Sequence, residues 1–394
     1  MRERGGGGIG HRMQLTNFDI DVFLRDYWQQ KPLLIRGPWD KWANPMEPDE
    51  LAGLACEAEV ESRLVTGGAG KWAVEHGPFA EARFAGLGKA PWTLLVQAVD
   101  HHVPEVAALL APFRFIPNWR IDDVMVSYAT DGGGVGPHYD QYDVFLIQGA
   151  GKRRWRVGQH CDANSALLPH EDLRLLAEFE ATDKYLLGPG DILYIPPGIA
   201  HDGVAVGDDC MTYSIGFRAP SRSELIADYA DDLVAEMADD DRYSDAGLKA
   251  QTNPGEISAE ALAALHDMVL QKLGDRKAFA RWFGTYNSTP KYPEIDWKPE
   301  APIEVARARD LIANGEPLTR NPASRCSFIR QEDGVLLFVD GDCFECTGEA
   351  AAFAEALCAQ DTLTVAPELS KSDATMTLIA HLINQGSVAF EIDD

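Results

Sequence analysis

The chain of 394 residues reads as an α+β protein: a β-barrel or sandwich in its middle, then a helical segment, then a winged-helix-like end. Three observations give that reading. Residues 119–218 hold short β-branched or aromatic runs cut by glycine and proline. Residues 220–286 change to helical spacing of apolar positions. Residues 303–394 alternate helix-like and strand-like stretches. At roughly 100–200 residues per domain, a chain of this length holds two or three domains.

The elements follow in order. The first 13 residues, MRERGGGGIGHRM, are charged and glycine-rich with no apolar segment behind them. They read as a mobile tail, or as residues upstream of a start at Met13, and without an export signal a cytoplasmic location is expected. Apolar spacing predicts helices over Phe18–Tyr27, Asp49–Glu59 and Trp92–His101, and a short strand over Pro32–Arg36. The barrel strands are predicted at Val124–Tyr128, Val144–Gln148, Arg154–Val157, Asp191–Ile195 and Met211–Phe217. Tight turns separate them, at Gly132–Gly136, Gly149–Gly151, Gly188–Gly190 and Pro196–Gly198.

Ser221 and Glu224 form a capping box that opens a helix with one apolar face: Leu225, Ile226, Tyr229, Leu233, Val234 and Met237. Ser258 opens a second helix with Leu262, Leu265, Val269 and Leu273, and a third, Arg276–Phe283, is expected to stop at Gly284. Such stripes suit a dimerisation module, or simple packing on the barrel. Pro290, Pro293, Pro299 and Pro302 mark a stiff linker. Beyond it lie helix Ile303–Asn314, strands Ser327–Arg330 and Gly334–Val339, helices Ala350–Cys358 and Thr375–Asn384, and a terminal strand Ser387–Ile392. The expected domains are therefore 14–219 (barrel, catalytic), 220–286 (helical, dimerising), 287–302 (linker) and 303–394 (winged-helix-like).

Composition narrows the function. A hydrophobic content of 45% excludes disorder as the main state. No run of 18 apolar residues occurs, so no membrane-spanning helix is expected. The net charge of −27 repels phosphates and favours basic partners, so direct nucleic-acid binding is not expected, although acidity also serves plain solubility. The seven cysteines are too few and too scattered for a disulfide framework. Cys343 and Cys346 form one CxxC, flanked by Cys326 and Cys358. Zinc ribbons show two such pairs, so buried or free thiols are the simpler reading.

The chemistry sits in GPHYDQYDVFLIQGAGKRRW (136–155) and LGPGDILYIPPGIAHDG (187–203). His138 and Asp140 are two apart, so on a strand they share a face. His201 follows past a strand and a Pro-Pro-Gly turn, where an antiparallel barrel brings segments side by side. Two imidazoles and one carboxylate make the facial triad of non-haem iron oxygenases, with open positions for a 2-oxo acid and dioxygen. The flanking glycines and Asp143-Val-Phe match a double-stranded β-helix layout. A 2-oxo diacid also needs a cation for its far carboxylate. Arg153 is the leading candidate, with Lys152, Arg154 and Arg156 competing, and Ser127 could add a hydroxyl. Asp131, Tyr139 and Asp143 stand close to the motif as candidate contacts for a cationic substrate.

With WRIDDVMVSYA (119–129) added, these segments resemble the JmjC-type ribosomal oxygenases of the cupin (jelly-roll) superfamily, across most of the chain. The likeness is to the bacterial branch acting on an arginine of large-subunit ribosomal protein sixteen. The resemblance implies Fe(II) on His138, Asp140 and His201, and the 2-oxoglutarate carboxylate on Arg153 and Ser127. It also implies dioxygen as co-substrate, a basic ribosomal protein as substrate, and a homodimer. The alternatives are the same chemistry on a histidyl or other protein residue, JmjC-type demethylation, or a non-catalytic cupin and winged-helix regulator.

Overall fold

The computed structural model describes residues 14–68, 71–88, 90–238 and 240–390. The expected N-terminal tail and the last residues of the expected terminal strand lie outside them. The chain divides into two compact units, Met1–Ala219 and Pro220–Asp394.

The first unit begins with helix α1 (Ile20–Asp26), which Asp19 caps by accepting from the Val22 N–H, and the short strand β1 (Leu33–Ile35). Helix α2 (Pro48–Leu54) is shorter than the predicted Asp49–Glu59. Then come strands β2 (Ser62–Gly68) and β3 (Lys71–His76), helix α3 (Glu81–Ala85), strand β4 (Trp92–Val96) and helix α4 (Pro104–Ala107). The barrel strands follow: β5 (Ile121–Ala129), β6 (Asp143–Ala150), β7 (Arg153–His160), β8 (Ala181–Leu187), β9 (Ile192–Ile195), β10 (Ile199–Ala205) and β11 (Cys210–Phe217).

One correction lies here. The predicted helix at Trp92–His101 is strand β4 followed by a single turn of 3-10 helix at Val99–His101. β4 is paired on both edges, by β2 and by β5, and Thr93 to Val96 are all buried. A strand covered on both faces shows no alternation, so its run of apolar residues imitates a buried helix.

Among the described residues the first unit has an eight-stranded sheet, in the order β1-β9-β6-β11-β5-β4-β2-β3, and a three-stranded sheet, β10-β7-β8. Alternation gives the large sheet two apolar faces. Phe145, Ile147, Tyr194, Tyr213 and Phe217 turn to one side, where they pack with Phe23 of α1 and Leu51 of α2. Val144, Leu146, Leu193 and Ile195 turn to the other and meet Trp155, Val157 and Leu187 of the small sheet. The two sheets therefore face each other as the expected double-stranded β-helix, a jelly-roll barrel of the cupin type.

The second unit holds α5 (Arg222–Glu236), α6 (Ala259–Leu273), α7 (Arg276–Ser288), α8 (Val305–Ala313), β12 (Leu318–Arg320) and β13 (Cys326–Gln331). It continues with β14 (Gly334–Val339), β15 (Asp342–Cys346), α9 (Gly348–Ala359), β16 (Thr362–Leu363), α10 (Asp373–Asn384) and β17 (Val388–Phe390). The capping box at Ser221 and Glu224 forms as predicted, each side chain bonding the other's backbone N–H. Phe353, Leu337, Ile379 and Leu382 anchor the core of the C-terminal part.

Gly284 does not stop the third helix. α7 runs through it to Ser288, and the Phe338 ring of β14 occupies the place of its missing Cβ. The helix therefore packs flat on the β13-β14-β15 sheet, and this glycine serves close approach rather than termination. Alanine at a free helical site would favour the helix by about 1 kcal/mol. Here Gly284→Ala is expected to destabilise the protein by about 1–3 kcal/mol, through overpacking against Phe338. Urea unfolding reads the sign, and a stabilised variant would contradict the close contact.

Candidate active site

The site grows from one backbone pair. The segment entering from Gly136 meets β10 through a single antiparallel bridge, His138 opposite His201. The two residues exchange both backbone bonds, at 3.0 Å from the His138 N–H and 2.8 Å from the His201 N–H. Directly opposed residues of such a pair project to the same face. The two imidazoles accordingly lie side by side, with ring centroids 4.3 Å apart. Asp140 is two residues on, so it shares that face. Its carbonyl accepts from the Gly198 N–H at 2.8 Å, and its Oδ2 is 3.5 Å from His201 Nε2. Gly136 has φ +82°, and a side chain there would meet Leu175 at 2.6 Å and Trp72 at 2.9 Å. Only glycine lets the chain enter this way.

The imidazoles are prepared as ligands. His138 Nδ1 lies 2.8 Å from the Gly136 carbonyl and His201 Nδ1 lies 3.0 Å from the Ile199 carbonyl. A carbonyl only accepts, so each Nδ1 carries a proton, and Nε2 is the atom left for a metal. Burial, and next the neighbouring His138, push the His201 pKa down to about 4. At neutral pH the ring is thus uncharged, the form that binds metal. The ligand atoms of His138, Asp140 and His201 all lie within 4.8 Å of one another. Two imidazoles and one carboxylate fit a ferrous ion with open positions.

Beside the triad stands a buried cation. Arg153 opens β7 and faces inward with Trp155, at 4% exposure. Its guanidinium lies over the Trp155 indole at 5.7 Å, and that indole is 5.9 Å from the His201 ring. Its Nε donates to Cys210 Sγ at 3.4 Å, and its Nη2 lies 3.5 Å from Ser127 Oγ. Alternation separates the basic residues. Lys152 and Arg154 are exposed, and Arg156 pairs with Asp202 at 2.6 Å. Among the described residues no carboxylate lies within ion-pair distance of Arg153. The Trp155 indole N–H is also buried without an acceptor.

Residues 108–225 match the family described as JmjC domain, and residues 264–389 match the ROXA-like winged helix. A match to the AraC-like ligand binding domain covers 180–278. The chain is 40% identical to the ribosomal protein uL16 3-hydroxylase of Escherichia coli, over 94% of this chain and 97% of that protein. It is 36% identical to a probable ribosomal oxygenase of Haemophilus influenzae, over 82% of this chain and 77% of that one. The chain belongs to the JmjC-domain ribosomal oxygenases. An X-ray structure of Escherichia coli YcfD superposes on this oxygenase with a TM-score of 0.88 at 38% identity, covering 96% of this chain and all of that one. A structure of YcfD in complex with cobalt and 2-oxoglutarate gives a TM-score of 0.85 at 38% identity, with the same coverage. The winged-helix match begins inside α6, in keeping with the packing of α7 on the β13-β14-β15 sheet.

Two of the candidate substrate contacts are corrected. Tyr139 lies between two ligands, so alternation turns it away from them. Its hydroxyl donates to the Asp162 carbonyl at 2.7 Å, and its ring is buried with Cys161, Leu176 and Ala200. Asp143 shares the face of Phe145 and Ile147, on the helix-covered side of the large sheet. It is fully buried there and accepts from Tyr194 Oη at 2.6 Å, Gln29 Nε2 at 3.0 Å and Arg120 Nη2 at 3.2 Å. Asp131 is exposed and braces a turn by accepting from the Gly207 N–H at 2.7 Å.

Cys343 and Cys346 form no metal set, for among the described residues only the His138, Asp140 and His201 group could hold an ion. The residues missed were Trp155, Gln148, Cys210 and Thr212. Strand alternation was the available signal: Cys210 and Thr212 have the parity opposite to the apolar Met211, Tyr213 and Ile215.

Proposed function

We propose that this oxygenase uses Fe(II), 2-oxoglutarate and dioxygen to hydroxylate an arginine side chain of ribosomal protein uL16. The observation that carries the reading is Arg153: a buried cation with no counter-ion among the described residues, one indole away from a metal triad. Such a group is costly unless an anion completes it. In this reading His138, Asp140 and His201 hold the iron, and Arg153 with Ser127 takes the distal carboxylate of the 2-oxo acid. The bound metal and co-substrate supply the activation of dioxygen needed for C–H hydroxylation. The protein orients both through its strand pairs and keeps the pocket dry with Val144, Leu146, Trp155 and Val157.

Arginine as the target is supported by acidic and aromatic groups. Asp123 and Met125 share the strand face of Ser127, and Asp123 is buried, accepting from Gln97 Nε2 at 2.7 Å. Tyr142 follows Asp140 by two residues. Its ring is exposed, while desolvation at the hydroxyl, then the charges of Asp140, Asp123 and Asp122, push the hydroxyl pKa up. A guanidinium suits such a mixed wall. The chain's net charge of −27 complements a basic ribosomal protein. A cytoplasmic location accords with seven free cysteines. No helix among the described residues is long and apolar enough to cross a membrane.

The test is anaerobic loading with Fe(II) and 2-oxoglutarate, then oxygen with and without uL16. The expected result is succinate release and the mass gain of one oxygen atom on a single arginine, both abolished by His138→Ala. Succinate without a peptide shift would remove uL16 as substrate. No succinate from loaded protein would overturn the chemistry.

A homodimer is part of the same proposal. Leu262 and Val269 of α6, and Ile226 and Val234 of α5, are apolar and exposed in the single chain. Light scattering should give twice the chain mass, and Leu262→Asp with Val269→Asp should halve it. A monomeric wild type would exclude the dimer.

A further inference from the structure

We infer that Cys210 is a positioning residue for the co-substrate: its sulfur fixes the plane of the Arg153 guanidinium so that the Nη edge meets the distal carboxylate. This rests on reading Arg153 as the carboxylate clamp. A guanidinium recognises a carboxylate as a planar fork, so its rotation about the side-chain axis decides whether two parallel bonds form. Arg153 comes from the small sheet, and among the described residues no carboxylate lies close enough to set that rotation. The Nε bond to Cys210 Sγ at 3.4 Å sets it from the large sheet, and leaves Nη2 near Ser127 Oγ.

The surroundings are built for this contact. Cys210 is fully buried among Ala129 and Ala205, whose small side chains leave room for the guanidinium. Ala205 is the register partner of Arg153, and Ala129 that of Cys210. Two residues before Arg153, Gly151 has φ +62°, and a Cβ there would lie 2.5 Å from the Asp209 carbonyl oxygen and 2.9 Å from Cys210 Cα. The β6–β7 turn is thus pressed directly onto the Cys210 backbone, which brings the arginine within reach of the thiol.

The sulfur is held in turn. Gln148 Nε2 approaches it at 3.5 Å while also donating to the Ala150 and Met211 carbonyls, at 2.7 and 3.0 Å. Gln148 Oε1 accepts from Thr212 Oγ1 at 3.4 Å. A carboxylate in place of Cys210 would neutralise the cation. A thiol is a weak acceptor, so it orients Nε and leaves the charge for the ligand.

The experiment uses the Fe(II)-loaded enzyme with saturating uL16 and varied 2-oxoglutarate. Cys210→Ala should raise KM for 2-oxoglutarate about ten-fold, the worth of one hydrogen bond to a charged group, and leave kcat within about two-fold. Cys210→Ser keeps an acceptor and should stay within about three-fold of the wild-type KM. If the alanine variant fails to fold, Cys210→Val, closer to cysteine in volume, carries the same test. Arg153→Ala serves as the control and should raise KM by about 100-fold.

An unchanged KM in Cys210→Ala beside a raised one in Arg153→Ala would overturn the inference. A fall in kcat without a change in KM would make the thiol merely structural and overturn it too. If Arg153→Ala itself leaves KM unchanged, the clamp reading fails first.

Discussion

The His138 and His201 backbone bridge is the constraint on which the rest of the site depends. A residue pair that exchanges both of its hydrogen bonds has its side chains on one face, whatever those side chains are. With His138 and His201 in that register, two imidazoles converge without any contact between them having to enforce it. Asp140 then reaches the same point through the two-residue period alone. A slip of one residue would send Tyr139 inward and both His138 and Asp140 outward. The glycine at 136 and the turn at Gly198 guard that register, one by admitting the chain at positive φ and the other by bonding the Asp140 carbonyl.

The metal triad and Arg153 occupy the same small-sheet face for the same reason. β7 and β10 are in register, with His201 opposite Val157 and Ala205 opposite Arg153. The inward positions of β7 are therefore a cation, an indole and a valine, with the valine at the end that faces His201. Gly203 stands opposite Trp155, and a Cβ there would lie 2.6 Å from the indole. Its bareness lets the ring lie flat between arginine and metal ligand. The large sheet answers with Ser127, Gln148, Cys210 and Thr212, all buried, and with an apolar patch beyond them. The cation with its polar neighbours and the metal triad thus lie toward opposite ends of the β7–β10 pairing.

Much of this was legible in the chain because the strand period is short and strict. His138, Asp140, His201 and Arg153 could be grouped from spacing, and Arg153 could be set apart from Lys152 and Arg154 by parity. The failures have physical causes. β4 is buried on both faces, so it lost the alternation that marks a strand. Gly284 imitates a helix stop because a glycine that ends a helix and one that admits a ring look alike in sequence. Tyr139 and Asp143 stand near the ligands along the chain, yet alternation turns Tyr139 away, and the bend at 141–142 resets the facing of Asp143. Parity marks Cys210 as inward, but its nearness to Arg153 is not in the sequence: the partner lies in the opposite sheet, and only the pairing of β11 with β5 and β6 brings it there.

If strand register alone converges the triad and sets Arg153 to receive the co-substrate, a crystal structure of the protein prepared anaerobically with Fe(II) and 2-oxoglutarate will show it. Iron is expected on Nε2 of His138 and His201 and on the Asp140 carboxylate, with the far carboxylate of the 2-oxo acid on the Arg153 guanidinium and Ser127 Oγ. Iron bound through an Nδ1 atom, or a far carboxylate held away from Arg153, would contradict it.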